Sequence, residues 1–146
     1  MPQVLPRILL ADEHIKERNS LRQHLENAGY EVCTSASGCD VVLMCDINPP
    51  DVLILDVQMS DIDGFEVCEF VRNRTANREL TIIVMTNAGD EMTKVYLGQM
   101  VDYVGADYYL TKPCDQNLVL KLLDTIADET SPSGDVACAA GTGGAT

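Results

Sequence analysis

The chain has 146 residues, 23 acidic side chains against 10 basic ones, a net charge of −13 and no tryptophan. A chain of this length buries about two thirds of its unfolded surface, enough for one core without disulfides or structural metal. The acidic balance argues against nucleic acid as a partner, which calls for clustered basic groups, and no apolar run approaches the ~18 residues that span a bilayer.

The first apolar run, Arg7 to Ala11 (RILLA), lacks polar alternation, as expected of a strand buried on both faces. Residues 15 to 28 follow as a helix, with Leu21, Leu25 and Ala28 on one stripe and Gly29 as its stop. Glu31 to Thr34 is a weaker strand, and Asp40 to Cys45 a short helix before Pro49-Pro50. Val52 to Leu55 (VLIL) is a third strand; a helix starts at Gly64 with Val67, Cys68 and Val71 on one side. Thr81 to Met85 (TIIVM) is a fourth strand, and a helix from about Asp90 to Val104 ends at Gly105. Asp107 to Leu110 is the fifth strand. The last helix begins near Asp115, an N-cap or first-turn acid, and carries Val119, Leu122, Leu123 and Ile126. Strict alternation predicts a doubly wound α/β fold with a parallel sheet, its two weaker strands nearer the edges. Residues 1–129 form the domain. Residues 130–146 contain four Gly and four Ala with little to bury, the composition of a flexible tail or the start of a linker.

The six cysteines at 33, 39, 45, 68, 114 and 138 form no C-x-x-C pair. The chain's start lacks the basic and apolar regions of a signal peptide, so a cytoplasmic setting is expected, with most cysteines as small buried apolar residues. His14 and His24, the only histidines, share no ligand spacing with Cys or carboxylates and are expected at solvated positions on the first helix.

Ligands of open parallel sheets bind at the carboxyl ends of the strands. The polar residues there are Asp12-Glu13, Asp56, Thr86 and Thr111-Lys112-Pro113. Carboxylates about 4 Å apart repel by roughly 4 kcal/mol at an effective dielectric near 20, so a divalent cation with oxygen ligands is implied. Lys112 adds a mobile ammonium and Thr86 a hydroxyl, both suited to a phosphoryl oxygen. An Asp so supported can accept a phosphoryl group as an acyl phosphate.

Asp12-Glu13, Asp56 within LILDVQMSDIDGFE, Thr86 within IIVMTNAG, and GADYYLTKP ending at Lys112-Pro113 together resemble the receiver domain of two-component response regulators, over residues 7 to about 128. The resemblance implies a CheY-like, flavodoxin-like fold with strand order 2-1-3-4-5 and helices on both faces. It implies that Asp56 accepts phosphate from a histidine kinase or histidine phosphotransfer protein. Mg²⁺ or Mn²⁺ would be held by Asp12, Glu13, Asp56 and the backbone carbonyl of Gln58, while Thr86 and Lys112 contact the phosphoryl group. Thr86 and the aromatic ring of Tyr109 would then remodel the face of the fourth helix, fifth strand and fifth helix for a downstream partner; Tyr108 stands beside as a second aromatic. A phosphorylation-dependent homodimer and a missing output domain belong to the same expectation, as does the absence of separate substrate turnover.

Four departures matter. Glu13 stands where a second Asp is commoner, Ser60 replaces the usual proline and is expected to loosen its loop, Asn87 after Thr86 is expected to narrow access for small phosphodonors, and the segment from Thr86 to Lys112 is about one helical turn longer than usual, so partner choice does not carry over from a relative. A dehalogenase-like phosphatase would want an Asp where Gln58 stands, and a flavodoxin-like cofactor carrier a phosphate loop where Asp12-Glu13-His14 stand. The other readings are a phosphate-independent interaction domain and the N-terminal regulatory part of a longer transcription factor.

Overall fold

Ile, Leu and Val dominate the central strands because both faces of the sheet are covered by helices. The computed structural model describes residues 4–74, 79–87 and 91–129. In chain order the elements are β1 (Arg7–Ala11), α1 (Ile15–Asn27), β2 (Glu31–Ser35), α2 (Gly38–Ile47), β3 (Val52–Asp56), α3 (Gly64–Arg74), β4 (Thr81–Thr86), α4 (Glu91–Val104), β5 (Tyr108–Thr111) and α5 (Gln116–Glu129). The sheet is parallel throughout, in the order β2-β1-β3-β4-β5, so the two weaker strands are indeed its edges. All five residues of β3, the middle strand, are buried.

Alternation along the strands sorts the core into two layers. Ile8, Leu10, Ile54 and Met85 point toward α1 and α5, where they meet Leu21, Leu25, Val119, Leu123 and Ile126. Leu9, Ala11, Leu53, Leu55 and Val84 point the other way, toward Val41 and Cys45 of α2 and Val67, Cys68 and Val71 of α3. Gly29 and Gly105 close α1 and α4 at φ of 101° and 86°, left-handed values that a side chain resists.

Two expectations change. The second helix is longer than Asp40–Cys45, because Ser37 accepts the Asp40 N–H as its N-cap and the helix carries on to Ile47 before Pro49-Pro50. Only Cys45 and Cys68 of the five described cysteines are buried; Cys114 is half-buried, and Cys33 and Cys39 are exposed. Cys33 lies on an edge strand and Cys39 in the first turn of α2. Asp90, Cys138 and the tail lie outside the described residues. Among the described residues no helix is long and apolar enough to cross a membrane.

Candidate functional site

The parallel register delivers the polar strand ends to one rim. Ala11 pairs with Leu55, Asp56 with Met85 and Thr86 with Thr111, so Asp12, Asp56, Thr86 and Lys112 leave the sheet at the same level. Backbone bonds fix these exits: the Asp12 N–H donates to the Ser35 carbonyl, the Val57 N–H to Met85 and the Lys112 N–H to Thr86. Asp12, Asp56 and Thr86 are all buried, and buried polar side chains need partners.

Lys112 supplies them for the acids. Its ammonium donates to Asp12 Oδ2 and to Asp56 Oδ2, each at 3.0 Å. A third carboxylate, Glu17 on α1, approaches the same nitrogen to 2.7 Å. With its side chain only 7% exposed, this ammonium survives burial through its three acids. Burial works against the Lys112 charge, yet the hydrogen bonds to Glu17, Asp12 and Asp56 raise its pKa above the ordinary lysine value. Burial also dominates at Asp56 and lifts its carboxyl above the usual value despite the Gln58 N–H and Lys112. At Asp12 burial is outweighed by the His14 backbone N–H and by Lys112, which hold that carboxyl low.

Around this centre the chain places its other candidates. The Gln58 N–H donates to Asp56 Oδ1 at 2.9 Å. The Gln58 side chain accepts from Asn87 Nδ2 at 3.0 Å, a bridge between the ends of β3 and β4. Glu13 leans across to Ser60, whose N–H and hydroxyl donate to Oε1 at 2.8 Å each, with the hydroxyl also 3.0 Å from Oε2. The expected loosening at Ser60 is opposed by these bonds, one of which uses an N–H that proline lacks. Tyr108 and Tyr109 point to opposite faces: Tyr108 is buried among the α1 and α5 layer with its hydroxyl 3.2 Å from Glu129, while Tyr109 is half-buried against the α2 to α4 layer.

His14 is exposed, as expected, yet it also reaches the acid pair. It is the N-cap residue of α1, and its Nδ1 lies 3.1 Å from Asp12 Oδ1 and 3.6 Å from Asp56 Oδ2, with half the side chain still exposed. Spacing arguments missed it because the contact comes from the turn directly after a strand. Its place beside an acidic pair at a strand end was the available signal. Glu17 lies on α1 and was missed because its partner, Lys112, is far away in sequence. Ligand atoms of Asp12, His14 and Asp56 all lie within 4.8 Å of one another, a donor set of two carboxylates and an imidazole that fits a small divalent cation.

Residues 8–124 match the response regulator receiver domain family. The response regulator MprA of Mycobacterium avium is 36% identical over 129 residues, which cover 88% of this chain and 54% of that protein. Protein PilH of Pseudomonas aeruginosa is 29% identical over 122 residues, 84% of this chain and 98% of its own. The chain thus spans about half the length of relatives such as MprA and nearly all of PilH. Among solved structures, the chemotaxis protein CheY4 of Vibrio cholerae superposes with a TM-score of 0.74 at 30% identity, covering 84% of this chain and 99% of that one. A CheY-like receiver domain protein of Methanospirillum hungatei gives 0.75 at 25% identity, covering 86% and 96%. The family match runs from β1 into α5 and so takes in every strand end that feeds the acid cluster; the chain belongs to the response regulator receiver domain family.

Proposed function

We propose that the chain is a phosphorylation-controlled signalling module in which Asp56 accepts a phosphoryl group from the phosphohistidine of a histidine kinase or a histidine phosphotransfer protein. The observation that carries this is the Lys112 ammonium held 3.0 Å from both Asp56 and Asp12 at the rim of the sheet. An Asp56 oxygen attacks phosphorus and forms the O–P bond. The P–N bond to the donor breaks, and its electron pair leaves with the imidazole nitrogen. Lys112 exchanges a carboxylate partner for a phosphoryl oxygen, and the Thr86 hydroxyl donates to another. A divalent cation, Mg²⁺ or Mn²⁺, would be held by Asp12, Glu13, Asp56 and the Gln58 carbonyl and would supply charge neutralisation there, with Glu13 giving up its Ser60 bonds to take part.

The added charge of about −2 favours one of two arrangements of Thr86 and Tyr109 and so remodels the face of α4, β5 and α5. Tyr109 is half-buried, whereas Tyr108 is buried and anchored through Glu129. The module would act in the cytoplasm, without separate substrate turnover, on a downstream protein, a second copy or an output domain beyond the tail. The reading is tested by adding beryllofluoride and Mg²⁺ and following backbone amide shifts near Thr86 and Tyr109. Shifts in the wild type that vanish in Asp56→Asn are expected. An unresponsive wild type, or an equal response in the variant, would favour a phosphate-independent interaction domain.

A further inference from the structure

The acid pocket holds a nitrogen donor that the phosphoryl chemistry above leaves unused. Glu13, the second acid of the pair, has both carboxylate oxygens on Ser60. The side chain that stands with Asp12 and Asp56 is instead the imidazole of His14. Adjacent ligands of an octahedral ion bound at about 2.1 Å lie about 3 Å apart. The 3.1 Å from His14 Nδ1 to Asp12 Oδ1 and the 3.6 Å to Asp56 Oδ2 are spacings one such ion can use.

Lys112 donates to Oδ2 of both Asp12 and Asp56, so a cation beside His14 would share Asp56 Oδ2 with the ammonium or displace it; Oδ1 of Asp12 faces His14, whose backbone N–H donates to it at 2.9 Å. A neutral ring with its proton on Nε2 offers the Nδ1 lone pair. Mg²⁺ prefers all-oxygen surroundings, whereas first-row transition ions accept imidazole readily.

We propose that His14 is a direct ligand of the cation in this pocket, so that the pocket favours an imidazole-accepting ion such as Mn²⁺ over Mg²⁺. The inference rests on the reading that Asp12 and Asp56 take a divalent cation. His14 is half exposed and its side chain makes no capping bond to α1, so it can be replaced without removing packing.

The test loads the full chain with less than one equivalent of Mn²⁺ and records electron spin-echo envelope modulation from ligand ¹⁴N. With only two histidines in the chain, the assignment is clean. Imidazole modulation is expected in the wild type and in His24→Gln, and is expected to vanish in His14→Gln. Calorimetric Mn²⁺ affinity should fall by roughly tenfold or more in His14→Gln, since losing even a group that only supports a metal ligand costs about tenfold, with a smaller change for Mg²⁺. Mn²⁺ binding that is abolished by Asp56→Asn yet shows no imidazole modulation would overturn the role of His14 while leaving the cation site intact, as would equal losses for both ions. Binding that ignores Asp12→Asn and Asp56→Asn would overturn the cation site itself, and the inference with it.

Discussion

Ser60 and Glu13 show how one substitution changes the role of its neighbour. The Ser60 hydroxyl, followed by its N–H, holds the Glu13 carboxyl below the ordinary glutamate value. In Ser60→Ala the Glu13 carboxyl should therefore titrate higher, back toward that value, as read from its side-chain carbon shift by NMR. An unchanged midpoint would mean that the contact does not persist in solution. The residue-level chemistry was legible where it sat at strand ends: Asp12, Asp56, Thr86 and Lys112 all come to one rim. Partners 47 residues apart in sequence, such as Glu13 and Ser60, carry no local signature. The expectation of a looser loop weighed a lost proline ring without the N–H gained in its place.

At the scale of elements, α2 owes its start to another loop. The Cys39 and Gly38 N–H groups donate to Asp61 at 2.9 Å each, and the Ser37 hydroxyl donates to it at 2.8 Å. These bonds, with Cys39 first, push the Asp61 carboxyl far below the ordinary value of 3.8. A depressed carboxylate stabilises the fold above its unfolded pKa, and that contribution is lost as pH falls through the folded value. Asp61→Asn is thus expected to cost about 1 kcal/mol near neutrality, the usual worth of a helix cap, and the gap from wild type should close as pH drops below 3.8. Urea unfolding at pH 7 and near pH 2 checks this, and a gap that is independent of pH contradicts it. The same loop explains why α2 was the least legible helix. Leu43 and Ile47 are exposed while Val41 and Cys45 are buried, so its apolar residues do not form one stripe, and its capping acid comes from a loop beyond β3. Gly64 is also fixed from afar: a Cβ there would stand 2.5 Å from Val57 Cα and 2.8 Å from the Asp56 carbonyl oxygen. Only glycine lets α3 begin against the strand that carries Asp56.

At the scale of the whole molecule, the layers were legible because parallel strands and helical stripes follow fixed periods, whereas the ties between elements were not. Arg72 on α3 is one such tie. Its guanidinium donates at 2.7 Å to the Gly105 carbonyl, the Leu80 carbonyl and the Asp107 carboxylate, which also accepts the Ile82 N–H at 2.8 Å. Asp107, expected as the first residue of the fifth strand, instead joins this knot, and β5 begins at Tyr108. Arg72→Met keeps much of the stem but removes three hydrogen bonds, the Asp107 carboxylate retaining the Ile82 N–H; a loss of about 2–3 kcal/mol is expected, measured as a lower urea midpoint. A loss below 0.5 kcal/mol, the range of an ordinary surface change, would show that the knot contributes little.

The open sheet has a further consequence at its two rims. Among the described residues, β2 and β5 each present one side of unpaired backbone, a template on which a strand of another molecule can add. Those rims are short, five and four residues, and β2 opens on the exposed Glu31, 3.7 Å from Arg7. A strand arriving at β2 finds little length to zip along and a carboxylate at its start, within a molecule whose net charge of −13 repels its own copies. Lateral growth into ribbons is thereby disfavoured on both sides.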